Sequence, residues 1–250
     1  MNKILIITLL IFSNNLLAQA DSLFVEANKL YQNEEYSAAL EIYKKIEENN
    51  VQSDELFYNI ANANYKLNKV APSIYYYEKA LLINPNNADA KFNLRFAKQM
   101  AIDNIEPLPK TFSQKFLANI ILKLSYNTWA WLAVSLSILF AILFLLYHFS
   151  YSSSRKRFYF ITSIISVFLV LIAIVFAYQN FNTVNSNKPA IVFAQQTEVK
   201  SAPTLSSEVS FELHEGTKVQ ILESLDSWKK IKIADGKIGW MLVDDLKELR

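Results

Sequence analysis

The sequence predicts a multi-domain protein made of an α-helical repeat region, a two-helix transmembrane hairpin and a small all-β barrel. Three observations predict it. The N-terminal part resembles itself at a shift of 34 residues. Two apolar segments without a formal charge occupy the middle. After residue 190 the hydrophobic pattern changes from a helical period to alternation. The composition agrees: of 250 residues, 52% are hydrophobic and 19% charged, against about 25% charged in an average soluble chain.

Composition also excludes much chemistry. The three glycines, Gly216, Gly236 and Gly239, all lie near the C-terminus. Nothing upstream can form the glycine-rich loops that let backbone approach a phosphate. The absence of cysteine removes thiol catalysis, disulfides, iron–sulfur clusters and a lipidated cysteine. Two histidines, His148 and His214, are too few for the usual zinc site. No enzyme activity, metal or cofactor is expected. The net charge of +2 is unevenly placed: residues 21–110 carry ten basic and thirteen acidic residues, and residues 188–250 carry nine and ten. The other basic residues, Lys3, Lys115, Lys123, Arg155, Lys156 and Arg157, flank apolar stretches. That distribution suits anionic headgroups and not a nucleic acid.

Residues 1–20 read as a signal peptide. Lys3 supplies a positive start, residues 4–12 an apolar run, and Ala18-Gln19-Ala20 the small residues of a cleavage site. Cleavage after Ala18 or Ala20 is expected, with Asp21 as the mature start; the alternative is an uncleaved anchor.

In residues 21–103 the 34-residue shift pairs Ala27 with Ala61, Asn28 with Asn62, Tyr31 with Tyr65, Ala39 with Ser73 and Tyr43 with Tyr77. A second shift takes Asn59 to Asn93. Small residues let helices approach, and aromatic residues fill the space beside them. This pattern resembles the tetratricopeptide repeat, with two units and a capping helix from residue 88 to about 102. Glu34 and Asn68 stand in place of the turn glycine of that family. The resemblance implies an interaction scaffold whose groove is lined by the first helix of each unit. Asn28, Asn59, Asn62 and Asn93 are the groove candidates, since a carboxamide both donates to and accepts from an extended peptide. The other reading of the four is solvated asparagines on a helix surface. Asn28 and Asn59 resemble half of a carboxylate clamp; Phe24 and Asn93 stand where its basic residues would be.

Residues 104–127 are read as a linker with Pro107 and Pro109, followed by an amphipathic stretch over 112–124 lying on a membrane surface. Residues 128–149 and 158–178 are uncharged, and at about 1.5 Å per residue each reaches across a bilayer core. Aromatic residues cluster at their ends. Between them, residues 150–157 form a turn whose Arg155, Lys156 and Arg157 place it in the cytoplasm by the positive-inside rule. Both flanking domains then face the periplasm from the bacterial inner membrane.

Residues 179–187 read as a polar tether and 188–250 as the barrel, with strands over 217–222, 228–233 and 237–241. Asp235-Gly236 predicts a two-residue hairpin turn. The order Ser201-Ala202-Pro203, Glu215-Gly216-Thr217, Trp228, Gly236, Gly239 and Trp240 resembles the bacterial SH3-like domain, which implies binding of peptides or cell-wall material. Trp228 and Trp240 read either as core residues or as ligand contacts.

The whole order of segments resembles the BatE-type proteins of the Bacteroides aerotolerance (Bat) operon. That resemblance implies a non-catalytic scaffold in a membrane complex linked to stress tolerance, with membrane proteins of the von Willebrand A domain type as partners. A cell-wall peptide sensor or anchor is the alternative.

Overall fold

The computed structural model describes residues 21–249. The expected signal peptide, residues 1–20, lies outside the described residues. The chain divides into two compact units. One joins the N-terminal region up to residue 107 to the C-terminal region from Lys188; the other is Leu108–Asn187.

The first unit begins with five helices: α1 over residues 21–32, α2 Tyr36–Glu48, α3 Asp54–Lys66, α4 Val70–Ile83 and α5 Ala88–Gln99. Ser53 and Asn87 start α3 and α5. Their side chains accept the N–H groups of Leu56 at 3.0 Å and Ala90 at 2.9 Å, satisfying donors that a helix start leaves free. The α1–α2 and α3–α4 turns have the same geometry. Glu34 and Asn68 adopt left-handed φ values of 66° and 56°. Each turn closes with equivalent bonds: Glu34 N–H to the Tyr31 carbonyl and Glu35 to Leu30, then Asn68 to Tyr65 and Lys69 to Asn64. Holding a non-glycine residue there costs about 1–2 kcal/mol, which the packed helices on either side must offset. Ala27, Ala39, Ala61 and Ser73 are fully buried, and Tyr43, Phe57, Ile60 and Tyr77 fill the space they leave.

The same unit ends in seven strands: β1 Lys188–Val192, β2 Gln196–Lys200, β3 Val209–His214, β4 Lys218–Leu225, β5 Trp228–Lys232, β6 Ile238–Leu242 and β7 Leu246–Glu248. They form one antiparallel sheet in the order β3-β2-β6-β5-β4-β1-β7. Ala190, Val192, Val199, Leu213, Ile231 and Met241 are in its core. Two turns differ from expectation. The β5–β6 connection has five residues, 233–237, within which the Ile233 N–H donates to the Lys237 carbonyl; only Gly236 takes a positive φ, 94°. The two-residue turn is instead Asp226-Ser227 between β4 and β5, with Asp226 at φ 49°.

β1 joins the two halves of this unit. Side chains alternate across a strand. Ala190 and Val192 enter the barrel core, while Ile191 belongs to the helical core with Leu249. A strand buried on both faces reads as an unbroken apolar run, as Ala190-Ile191-Val192 does.

The second unit contains α6 Phe112–Phe116, a π turn Leu117–Ile121, and the antiparallel hairpin α7 Tyr126–Phe149 and α8 Ser153–Ser186. Only 6% and 17% of the most apolar windows of α7 and α8 are buried within the chain, and both helices are long and apolar enough to cross a membrane. Both are compatible with membrane anchoring. Ser163, Ser166 and Ala173 of α8 are buried in the hairpin, and the Ser166 hydroxyl donates to the Leu136 carbonyl at 2.9 Å. Small residues on the seam let the helices approach closely. α8 departs from the expected span at both ends. Arg155, Lys156 and Arg157 lie in its first turns, leaving residues 150–152 as the connection, and the polar residues 179–186 continue the helix. Serine and asparagine are only weakly unfavourable in helices, so polarity alone did not mark an end.

Candidate functional site

The asparagines of the helical region form a repeated relay. Asn28 Oδ1 accepts the Tyr43 hydroxyl at 2.6 Å and an Asn59 amide hydrogen at 3.1 Å. Asn62 Oδ1 accepts the Tyr77 hydroxyl and an Asn93 amide hydrogen at 3.0 Å. The second set is the first moved by 34 residues in every member. Asn93 also donates to the Tyr58 hydroxyl at 3.1 Å. The row thus runs over α1, α3 and α5, the first helices of successive pairs.

The tyrosines fix the polarity of the row. Burial, then Tyr31 and Glu55, push the Tyr43 hydroxyl up to about 12. Burial raises Tyr77 as well, although its hydrogen bond with Asn93 acts in the other direction. Both hydroxyls therefore stay protonated at neutral pH and occupy the carboxamide oxygens. The amide hydrogens of Asn28 and Asn62 make no hydrogen bond among the described residues. Asn28 and Asn62 thus offer donors, while the Oδ1 atoms of Asn59 and Asn93, which accept no hydrogen bond among the described residues, offer acceptors; together they suit the carbonyl and N–H groups of a main chain.

The barrel docks elsewhere, on α4 and the segment after α5. Asp103 accepts the His214 backbone N–H and lies against His214 Nδ1, each at 2.8 Å, and also accepts the Thr217 hydroxyl. Glu78 accepts Lys98 at 3.0 Å and Lys218 at 2.7 Å. Tyr75 donates to the Glu248 carbonyl at 3.2 Å and stacks edge-on against Phe193. Gly216, at φ 88°, lies between the two halves: an added Cβ would stand 2.9 Å from Ile74 Cδ1 and 3.1 Å from Val70 Cγ1.

The remaining candidates lie within single elements. Gly239 lets β6 approach β2; a Cβ there would lie 2.5 Å from Val199 Cγ1 and 3.0 Å from the Lys200 carbonyl. Trp228 and Trp240 are both buried, and Lys230 lies over the Trp240 ring at 5.6 Å. Arg155, Lys156 and Arg157 are exposed. Sequence reading missed Asp103, Glu78, Lys218 and the docking role of Gly216. The available signal was Ile191 in β1 and Phe193 just after it, apolar residues that a barrel alone would expose.

Residues 196–247 match the bacterial SH3 domain family. The C-terminal region is thus an SH3-like antiparallel domain. The chain matches no curated protein.

Acid should loosen the docked barrel. Burial alone would raise Glu78, but Lys218 and then Lys98 outweigh it and hold the carboxyl below its ordinary 4.5. Burial likewise opposes, and hydrogen bonds from Thr217 and His214 overcome, at Asp103, which lies below 3.8. A carboxyl lowered in the folded state stabilises fully above its unfolded pKa. That contribution is lost as pH falls through the lower folded value. In the full chain in detergent, protection of α4 and β4 against hydrogen exchange, relative to the intrinsic rate at each pH, should therefore fall below about pH 4. Asp103→Asn should reduce the dependence; identical profiles for variant and parent would refute the assignment.

Proposed function

We propose that this protein is a non-catalytic, membrane-anchored adaptor that holds an extended segment of a partner protein along its asparagine row. The observation that carries this reading is the relay repeated at 34 residues, which leaves the amide hydrogens of Asn28 and Asn62 without a hydrogen-bond partner among the described residues. Main-chain carbonyls of an extended peptide would accept them, and sequence-tolerant main-chain bonding suits a scaffold. The 34-residue period and the left-handed turns at Glu34 and Asn68 support a tetratricopeptide-type array. Among the described residues the barrel makes its hydrogen bonds to α4 and Asp103 and none to the row, which suits the same role.

In this reading α7 and α8 cross the bacterial inner membrane and both ends of the chain face the periplasm. Basic residues number three before α7, Lys110, Lys115 and Lys123, and three at the start of α8. Charge alone therefore does not orient the hairpin. The export-type residues 1–20, and the frequent occurrence of bacterial SH3 domains outside the cytoplasm, support the proposed orientation. The domain order suits a Bat-type stress-tolerance complex containing membrane proteins of the von Willebrand A domain type.

Crosslinking in intact membranes followed by affinity capture tests the proposal. Wild type should retain membrane partners, and Asn28→Leu combined with Asn62→Leu should lose them while the protein still inserts and melts cooperatively. Retention of every partner by that variant would refute the role of the row. The SH3 match supports a second reading, binding of cell-wall peptides by the barrel. Capture of the full chain on purified sacculi, without any protein partner, would favour it.

A further inference from the structure

Residues 107–197 contain no aspartate or glutamate. Within this stretch α6, the π turn and the bend after it carry a stripe of Phe112, Phe116, Ile120 and Leu124, one residue in four, and all four are exposed, Phe112 to 86%. Lys115 and Lys123 precede two members of the stripe and make no ion pair among the described residues. The segment starts at a firm cap: Thr111 accepts the Gln114 N–H, and Gln114 Oε1 accepts the Thr111 N–H at 3.0 Å.

Its other end is pinned to the helical hairpin. Asn180 of α8 is only 2% exposed and donates to the carbonyls of Ile121 at 2.8 Å and Leu124 at 2.6 Å. Trp129 Nε1 of α7 donates to the same Ile121 carbonyl at 2.9 Å. Phe176 stacks edge-on against both Phe116 and Trp129. Carbonyls released where a helix ends are normally left to water. Here a buried carboxamide and an indole take them, as a site poor in water requires.

We propose that residues 111–124 form an in-plane foot that binds the surface of an anionic phospholipid bilayer. The Phe112, Phe116, Ile120 and Leu124 stripe enters the acyl boundary, and Lys115 and Lys123 meet headgroup phosphates. Asn180 is the positioning residue that fixes the foot to α8. The charge pattern favours lipid over a protein partner: the unit has no acid to repel phosphate, and its basic residues sit at both ends of the hairpin. The inference rests on reading α7 and α8 as spans.

The cysteine-free sequence permits a clean test. Single cysteines replace Phe116, Ile120 or, on α7, Ile138, and carry an environment-sensitive label. The full chain is reconstituted in phosphatidylcholine vesicles with or without phosphatidylglycerol, using lipids brominated near the headgroup or at mid-chain. Position 138 should be quenched by mid-chain bromine in both compositions. Positions 116 and 120 should be quenched by bromine near the headgroup, more strongly with phosphatidylglycerol. Lys115→Gln with Lys123→Gln should remove that difference, and Asn180→Leu should weaken quenching at 120 while leaving 138 unchanged. Quenching at 138 with labels 116 and 120 open to a water-soluble quencher would overturn the foot and leave the spans standing. Shielding of 116 and 120 only in native membranes would overturn lipid in favour of a protein. Equal quenching in both compositions would overturn the headgroup contacts, and no quenching at 138 would remove the spans and the foot together.

Discussion

Gly216→Val is expected to separate the barrel from the helices while each keeps its secondary structure. Two effects add. At φ 88° a β-branched residue is strained, at about 1–3 kcal/mol. Its Cβ would also press on Ile74 and Val70 from 2.9 and 3.1 Å, and overpacking of this kind costs about 1–3 kcal/mol. The valine methyls extend further into α4. Rearrangement would have to break the Gly216 N–H bond to the Val192 carbonyl or move Thr217 away from Asp103. Hydrogen exchange in the full chain should show α4, β1 and the residues around 214–217 opening together, with little change at the β5–β6 hairpin. Parental protection at all of these sites would contradict the account. Glu78→Ala is no substitute for this experiment, because it leaves Lys98 and Lys218 unpaired and also empties space inside the helices.

Tyr77→Ala should cost about 3–5 kcal/mol, as expected for removing a large side chain from a filled core. Tyr77→Phe should cost about 1–3 kcal/mol, because it deletes only the hydroxyl that satisfies Asn62. The repeat makes a sharper demand. Tyr43 has the same burial and the same partner one unit earlier, Asn28, so Tyr43→Phe should match Tyr77→Phe closely. Denaturant melts of the full chain in one detergent test this. A large inequality between the two phenylalanine variants would mean that the relay is not equivalent in the two units.

Physical scale decided what was legible in the sequence. The 34-residue period was readable because each unit must pack against the next with the same small and aromatic residues, as Ala27 with Ala61 and Tyr43 with Tyr77 illustrate. The two apolar helices were readable because no formal charge interrupts residues 128–149 or 158–178. Their ends were not, since Arg155 to Arg157 and residues 179–186 are compatible with helix and α8 runs through both. The barrel showed its glycines and tryptophans but hid β1, whose two faces serve different cores. The asparagines could be placed by spacing, but the saturated oxygens of Asn28 and Asn62 could not. That depends on Tyr43 and Tyr77 reaching across from the second helices. Asp103 was invisible because its partners are 111 and 114 residues away.

The two-faced strand also bears on how the chain matures. Ile191 and Leu249 complete the core of helices that end at residue 99, so those helices leave the ribosome with a side still uncovered. Contacts so distant in sequence close slowly, and an uncovered apolar side invites misassociation meanwhile. The helical region must therefore wait for Leu249, 150 residues beyond the end of α5, before its core is finished, and a chain truncated before β1 should be a client for chaperones.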